Sequence, residues 1–344
     1  MIDDLKYIHE KDKSDALGLA AKEWQQLLAE YKIEPALKIN HVYNVVFAGM
    51  GGSALSAFLS RTWPTIKEPF EVVRGYDLPS YVDGDTLFIA SSYSGNTEEE
   101  LSCLEQAEKA GAVVVVMSAG GQLVDIAKAK GHPLVLIPSH MQPRYATLYS
   151  FSALIRILEA VGLVDEGRAD KELGMSAKFL EESVKTWLPE VPTKDNPAKK
   201  LAKELAGTSV VIYGGSLMSP ATYKWKIIFN ENAKNIAWCG TLPEFNHNEM
   251  MGWTGQPHDK PYSVIDLRSS FEHPQVLKRF EVSERLLSGR RPTPYVVNAK
   301  GETLLEQLLW TVIFGDFVSI YLALINNVDP TALDLMDRFK KEVA

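Results

Sequence analysis

Two short segments combine residue types that can hold an anion. The first is Gly49-Met50-Gly51-Gly52-Ser53-Ala54. Glycines between a strand and a helix let a ligand approach the backbone and rest on the amides that open the helix. The second is Ser92-Tyr93-Ser94-Gly95-Asn96-Thr97, again between a β-type run and a helical one. Its three hydroxyls stand where orphan N–H donors point outward. Ordinary capping explains one of them: Thr97 or Asn96 caps the following helix, with Glu100 completing a capping box. Three exceed that need. On two strands of one parallel sheet, the loops would face each other across the crevice at the strand carboxyl ends. The pair predicts a phosphomonoester site built from Gly52, Ser53, Ser92, Ser94 and Thr97. Read alone, the first segment also matches GxGxxA, the dinucleotide fingerprint. That reading wants an acidic residue about 20 residues later, at the end of the second strand. Glu71 has the spacing but begins its strand, Asp77 ends it but comes late, and nothing in a dinucleotide site calls for the second segment.

The surrounding pattern is α/β. Apolar, β-branched runs at Tyr43–Gly49, Phe70–Tyr76, Asp85–Ser92, Val113–Ser118 and Leu134–Pro138 alternate with helical stretches at Ser53–Arg61, Thr97–Ala110 and Gln122–Lys130. Glu98, Glu99 and Glu100 put negative charge in a first helical turn, where the macrodipole favours it. Strands this apolar have no wet face, which predicts a parallel sheet covered on both sides. The pattern then restarts. Ser209–Gly214 runs into Gly215 and Ser216, repeating the strand–glycine–serine join. Further strands are predicted at Tyr262–Leu267 and Thr293–Asn298, and helices at Ala221–Ala233, Pro274–Leu287 and Glu302–Asn327. A divergent internal duplication is the economical reading. It gives a first domain over 1–165, a charged helical linker over 166–200 with Pro189, Pro192 and Pro197, and a second domain over 201–344.

Composition narrows the class. The 344 residues, 46% hydrophobic and 23% charged, suit a globular chain of two domains. A formal net charge of -8 argues against duplex nucleic acid, whose binders need a basic face. Cys103 and Cys239 are the two cysteines, which points to a reducing compartment, hence the cytoplasm. The charged N-terminal segment lacks the apolar core of a signal peptide. The longest apolar stretch, Leu308–Ile325, is interrupted by Asp316 and Ser319, so a core helix is expected instead of a membrane span.

GMGGSA followed by SYSGNTEE resembles the sugar isomerase (SIS) domain. From about residue 43 to 341 the chain is similar to the bifunctional phosphoglucose/phosphomannose isomerase family, which carries two SIS domains. Supporting segments are Gln142-Pro143-Arg144, Asn230-Glu231-Asn232-Ala233-Lys234 and Glu244-Phe245-Asn246-His247-Asn248-Glu249, with a weaker match at Phe339-Lys340-Lys341. At Leu148 this chain departs from the family's more usual glycine. The resemblance implies an aldose–ketose isomerase working through a cis-enediol on glucose 6-phosphate and mannose 6-phosphate, with no metal and no cofactor. Such chemistry needs a base at carbon, a group that opens the sugar ring and a cation for the enediolate oxygen.

By resemblance, Glu231 is the base, His247 the ring-opening acid–base, Arg144 the enediolate partner and Lys340 a helper at the ring oxygen or an adjacent hydroxyl. Each has a plainer alternative. Glu231 could pair with Lys234 on a surface, His247 could be held by Asn246 or Asn248, and Arg144 could be a surface side chain. Lys340 could cap a helix end in solvent, and Lys341 competes for its role. Other SIS-type readings are an isomerase limited to one sugar phosphate or an amino-sugar phosphate, and a non-catalytic sensor. The family also implies a homodimer in which His247 reaches the neighbouring subunit's site. Thr241–Gly255, rich in Asn, Met and Trp and aperiodic, reads as a loop too apolar for water, which fits burial on a partner. Met250, Met251 and Trp253 as a local lid are the alternative.

Overall fold

Apolar residues at consecutive positions give strands buried on both faces, and in Thr86–Ser92, where Leu87-Phe88-Ile89-Ala90 form such a run, every residue is buried. The computed structural model describes residues 1–344 except Lys38, Asn40, 256–260 and Ala344, and omits the side chains of Asp337, Lys340, Lys341 and Val343. The chain opens with helices α1 (Leu5–Lys11) and α2 (Ala16–Ala21) and a 3-10 turn at Glu23–Leu28. Next come β1 (Asn44–Ala48), α3 (Gly51–Thr62), β2 (Phe70–Val73), β3 (Thr86–Ser92), α4 (Glu98–Ala110), β4 (Val113–Ser118), α5 (Gly121–Lys130), β5 (Leu134–Leu136) and α6 (Thr147–Ala160). Helices α7 (Arg168–Val184) and α8 (Pro197–Leu205) lead to the second series. That series is β6 (Ser209–Gly214), α9 (Ser219–Glu231), β7 (Ala237–Thr241), α10 (Glu249–Gly252), β8 (Tyr262–Arg268), α11 (Pro274–Leu286), β9 (Tyr295–Asn298), α12 (Leu304–Ile325) and α13 (Asp334–Val343).

Glu23–Lys178 form one unit; Met1–Lys22 and Phe179–Ala344 form the other. The first twenty-two residues, which sequence order puts with the N-terminal domain, thus fold with the C-terminal one. There, the Tyr7 hydroxyl donates to the Leu324 carbonyl at 2.7 Å.

The N-terminal unit holds a parallel sheet of order β2-β1-β3-β4-β5. β1 lies between β2 and β3, with Val45 opposite Phe70 on one side and Leu87 on the other. The order reverses direction at β1, so the loops after β1 and β3 open on one crevice. Val46, Phe88, Val114, Leu104 and Leu123 fill the core between this sheet and α4 and α5.

The C-terminal unit holds a parallel sheet of order β7-β6-β8-β9. Position for position this repeats β2-β1-β3-β4, which is the duplication expected from the strand–glycine–serine joins. β7 is an edge strand with one buried residue, Ala237, and its apolar stretch, Ile236–Cys239, is four residues long and runs into Gly240. Helix α12 is apolar on all sides, and every residue from Leu305 to Leu324 is buried. It is long and apolar enough to cross a membrane, with mean hydropathy 2.0 in its most apolar window, yet 94% of that window is buried inside the protein. A helix apolar all round can serve as the core of a large unit. Its buried Asp316 meets Lys224 of α9 at 3.1 Å.

Candidate active site

In the N-terminal unit the hydroxyls picked out in the sequence converge. Ser92 Oγ lies 2.7 Å from Thr97 Oγ1 and 3.4 Å from Ser94 Oγ. Ser53 Oγ accepts from the Tyr93 amide at 3.3 Å, which joins the first loop to the second. Ser92 is buried, Ser53 and Thr97 are half-buried and Ser94 is exposed, so the group forms a graded mouth lined with hydroxyls and helix-opening amides. Such a lining suits a phosphate monoester.

The capping expectation needs correction. Thr97 stands at the N-cap of α4 but its side chain caps no backbone amide, because its hydroxyl is shared between Ser92 and the Glu100 carboxyl. Asn96 caps the neighbouring helix instead: its Oδ1 accepts from the Gln122 amide near the start of α5 at 3.0 Å. Sequence reasoning also misses Ser118–Gly121, a third strand-to-glycine turn that holds the second loop. Ala119 N donates to Tyr93 O at 3.2 Å and Leu123 N to Gly95 O at 3.0 Å. Gly95 has φ +71, and a Cβ there would collide with the Gly120 carbonyl oxygen. The signal is present: Val113–Ser118 is an evident strand ending in Ala-Gly-Gly.

Glu100 lies buried beneath these loops. Its carboxyl takes hydrogen bonds from the Met50 amide, its own amide and the Thr97 hydroxyl, while Oε2 has no partner. Burial, aided by the charge of Glu99, outweighs those bonds and pushes the carboxyl up to about 7 from an ordinary 4.5. The folded chain therefore holds a proton here that the unfolded chain releases at lower pH. The stability this group contributes is full below about pH 4.5 and is lost as pH rises through about 7. Glu100→Gln keeps the shape of the protonated acid and is expected to be more stable than the parent at about pH 8, by up to about 3 kcal/mol. The gap should close below about pH 5. Thermal melts across this range check it, and a gap that does not change with pH sinks the assignment.

Gln142-Pro143-Arg144 belongs to the same cluster. A Cβ on Gly52 would lie 3.4 Å from the Arg144 backbone nitrogen and the Pro143 carbonyl, so the first loop lies directly on this segment. The Tyr93 hydroxyl donates to Pro138 O at 2.8 Å and accepts from the Met141 amide at 3.4 Å. Arg144 is 2% exposed, which removes the surface alternative, and its guanidinium sits 4.9 Å from the centre of the Tyr145 ring. Gln26, which carries no signal in the sequence, fastens the start of α6: it donates to Tyr145 O at 2.6 Å and accepts from Tyr149 N at 3.0 Å. Leu148, where the chain departs from the family pattern, is fully buried.

The C-terminal unit positions Glu231 and His247. Glu231 is the last residue of α9 and is half-buried, whereas Trp225, Ile228 and Phe229 before it are buried. Contacts with α12 fix the helix. Trp225 Nε1 donates to Thr311 O at 2.9 Å, Asn232 Nδ2 to Ser319 Oγ at 2.9 Å, and Asn326 Nδ2 to Ala233 O at 3.1 Å. Lys234 has left-handed backbone, φ +50, and donates to Asp329 O at 2.6 Å.

His247 ends a 3-10 turn, Glu244–His247, and is exposed. Its neighbours are engaged elsewhere: Asn246 Nδ2 donates to Ser283 Oγ at 2.7 Å and Asn248 Nδ2 to Glu244 Oε1 at 2.7 Å. Thr241–Gly255 is not the aperiodic loop expected, since it contains that turn and α10. Its apolar residues are also satisfied at home. Phe245 and Trp253 join the core with Tyr213 and Met250 packs against it, and Trp253 Nε1 donates to the Tyr213 hydroxyl at 3.2 Å. Met251 is left 70% exposed. The loop's apolarity therefore gives no argument for a partner.

Lys340 lies on α13; its side chain, like that of Lys341, is outside the described residues. Among the described residues no three His, Cys, Asp or Glu side chains gather as metal ligands do; His258, which with His247 and Glu249 matches no metal-ligand spacing in the sequence, lies outside the described residues.

Residues 194–343 match the family model described as the bacterial phospho-glucose isomerase C-terminal SIS domain. A bifunctional phosphoglucose/phosphomannose isomerase from Caldicellulosiruptor bescii is 33% identical over 328 residues, which cover 93% of this chain and 96% of that one. A D-glucosamine-6-phosphate 4-epimerase from Sulfolobus acidocaldarius is 33% identical over 232 residues, 64% of this chain and 67% of the relative. Among solved structures, the C-terminal domain of glucosamine-fructose-6-phosphate aminotransferase from Francisella tularensis has the same fold. It aligns at a TM-score of 0.70 and 14% identity, over 95% of this chain and 97% of that one. With the paired phosphate-type loops, the duplicated parallel sheets and a relative matched along nearly its whole length, the chain belongs to the bifunctional phosphoglucose/phosphomannose isomerase family.

Proposed function

We propose that the protein interconverts glucose 6-phosphate and mannose 6-phosphate with fructose 6-phosphate. The observation that carries this, beyond family membership, is the cluster of Ser53, Ser92, Ser94 and Thr97 with a buried Arg144 on the same crevice. The hydroxyls and amides hold the substrate's phosphate, and holding the unreactive end supplies orientation. His247 opens the sugar ring. Glu231 then takes the C2 proton of the open-chain aldose as O1 gains a proton, giving the cis-enediol. Loss of the O2 proton and return of the carbon-bound proton to C1 yield the ketose. Arg144 stabilises the charge on the enediolate oxygen, and Lys340 assists at the ring oxygen or a neighbouring hydroxyl. No metal or cofactor enters the scheme. The protein acts in the cytoplasm as a homodimer with shared sites, on sugar phosphates and not on nucleic acid or membrane.

Coupled assays with each aldose phosphate, with and without EDTA, test the reading. Turnover of neither aldose rejects it, and a loss in EDTA rejects the metal-free scheme. The epimerase relative favours one other reading, action on an amino-sugar phosphate, so D-glucosamine 6-phosphate belongs in the same assay.

The cradle makes a separate prediction. Ser94 contacts the part of the substrate that does not change, so its loss weakens ground state and transition state alike. Ser94→Ala is expected to raise KM more than it lowers kcat, at a cost of roughly 1.5–3 kcal/mol for one hydrogen bond to a charged group. Unchanged KM in alanine variants of all four hydroxyl residues removes the phosphate from this loop pair.

A further inference from the structure

The duplicated sheets allow the two units to be compared turn by turn. β6 occupies the position of β1, and β8 that of β3. The turn between β6 and α9 is thus the counterpart of the Gly49–Ser53 turn, and Ser269–His273, between β8 and α11, is the counterpart of Ser92–Thr97. Both α3 and α9 begin at a methionine N-cap, Met50 and Met218, with no side-chain cap. In α9 Pro220 has no N–H and the Ser219 amide donates to Ser216 O at 3.4 Å, so the amides that take an acceptor from elsewhere are those of the turn before the helix.

The acceptors differ. In the C-terminal unit the Glu272 carboxylate is seated on the turn. Its Oε1 accepts from the Leu217 amide at 2.8 Å and the Met218 amide at 3.2 Å, and the Ser216 amide also bonds the carboxylate. The approach is so close that a Cβ on Gly215 would collide with the carboxylate. Glu272 is 5% exposed. Gln307 of α12 holds its loop, accepting from Ser269 Oγ at 2.7 Å and from Ser270 N at 3.1 Å. In the N-terminal unit the equivalent loop brings hydroxyls, not a carboxylate. The buried carboxyl nearby, Glu100, comes from within α4 and meets one amide of the turn itself, that of Met50.

We propose that Glu272 is a built-in anion filling the cradle that the N-terminal unit keeps open for a substrate phosphate. The comparison rests on reading Ser53, Ser92, Ser94 and Thr97 as that phosphate cradle. A carboxylate carried by the chain satisfies the amides of this turn, at the positive end of α9, without any substrate, although burial raises its pKa above the ordinary 4.5 against the pull of those amides. The duplicated fold thus takes one phosphate per chain. The helix that ends in Glu231 is anchored at its start by the protein itself, independently of substrate.

The test is equilibrium binding of inorganic phosphate to the full-length protein, with ionic strength held by chloride. The parent and Glu272→Gln, whose side chain still fills the turn, are expected to bind one phosphate per chain. Glu272→Ala, which empties it, is expected to bind one more, and phosphate should raise its melting temperature further than the parent's. A folded Glu272→Ala with the parent's stoichiometry overturns the proposal. If Glu272→Ala does not fold in chloride, refolding on addition of phosphate supports it, and failure to refold in phosphate overturns it. The parent reads the N-terminal cradle separately. No phosphate bound by the parent rejects that cradle, while a gain of one in Glu272→Ala still supports the filled one.

Discussion

Glu231→Gln is expected to bind fructose 6-phosphate much as the parent does and to lose turnover with both aldoses together, by about 10²–10⁴-fold. The amide keeps the size and hydrogen-bonding reach of the carboxylate but cannot accept the carbon-bound proton. The helix end should not move, because α9 is held on α12 through Trp225, Asn232 and the Ala233 carbonyl and none of these contacts involves the altered group. Binding is measured by isothermal titration and turnover by coupled assay in each direction. A variant that lost only the mannose 6-phosphate reaction would mean that the two aldoses use different bases. A variant whose kcat is intact would leave Glu231 as a pairing partner at a helix end.

Mixing two inactive variants is expected to restore activity. Chains with Glu231→Gln and chains with His247→Ala are combined in equal amounts and allowed to exchange subunits. Half of the dimers are then mixed. If His247 acts in the partner's site, each mixed dimer has one intact site, and about a quarter of parental activity returns. If it acts within its own chain, no intact site can form and the mixture stays inactive. His247 is exposed at the tip of its turn, as a residue that leaves its own subunit must be. Phe245 and Trp253 anchor the turn in their own core. A mixture that stays inactive after exchange has been verified by mass rules out the shared site.

The parts of this protein legible in the sequence are those that local physics decides. A run of β-branched residues has few ways to be stable except as a buried strand, so Val113–Ser118 and Ser209–Gly214 are legible to the residue. A strand, a glycine turn and a helix start set an anion cradle within a few residues, so spacing alone groups the hydroxyls of Ser92, Ser94 and Thr97. The apolar sides of α12 likewise mark it as core.

What the sequence could not decide was which polar group meets which. Thr97 and Asn96 both look like caps for α4, yet one is drawn to Ser92 and the other to the next helix, because packing brings competitors that sequence spacing does not show. Thr241–Gly255 reads as a surface for a partner because its apolar residues have no period. The fold buries Phe245 and Trp253 beside Tyr213 on β6, a destination set by the sheet and not by the segment. Glu272 is 55 residues from the Leu217 amide it accepts from. Its residue type says only that it is acidic; the parallel order of β6 and β8 puts it on the turn. Hydrophobic pattern and glycine placement act over a few residues and survive in one dimension. The pairing of buried donors with acceptors is settled when strands distant in sequence become neighbours, because each buried group must then find a partner among whatever the fold has put beside it.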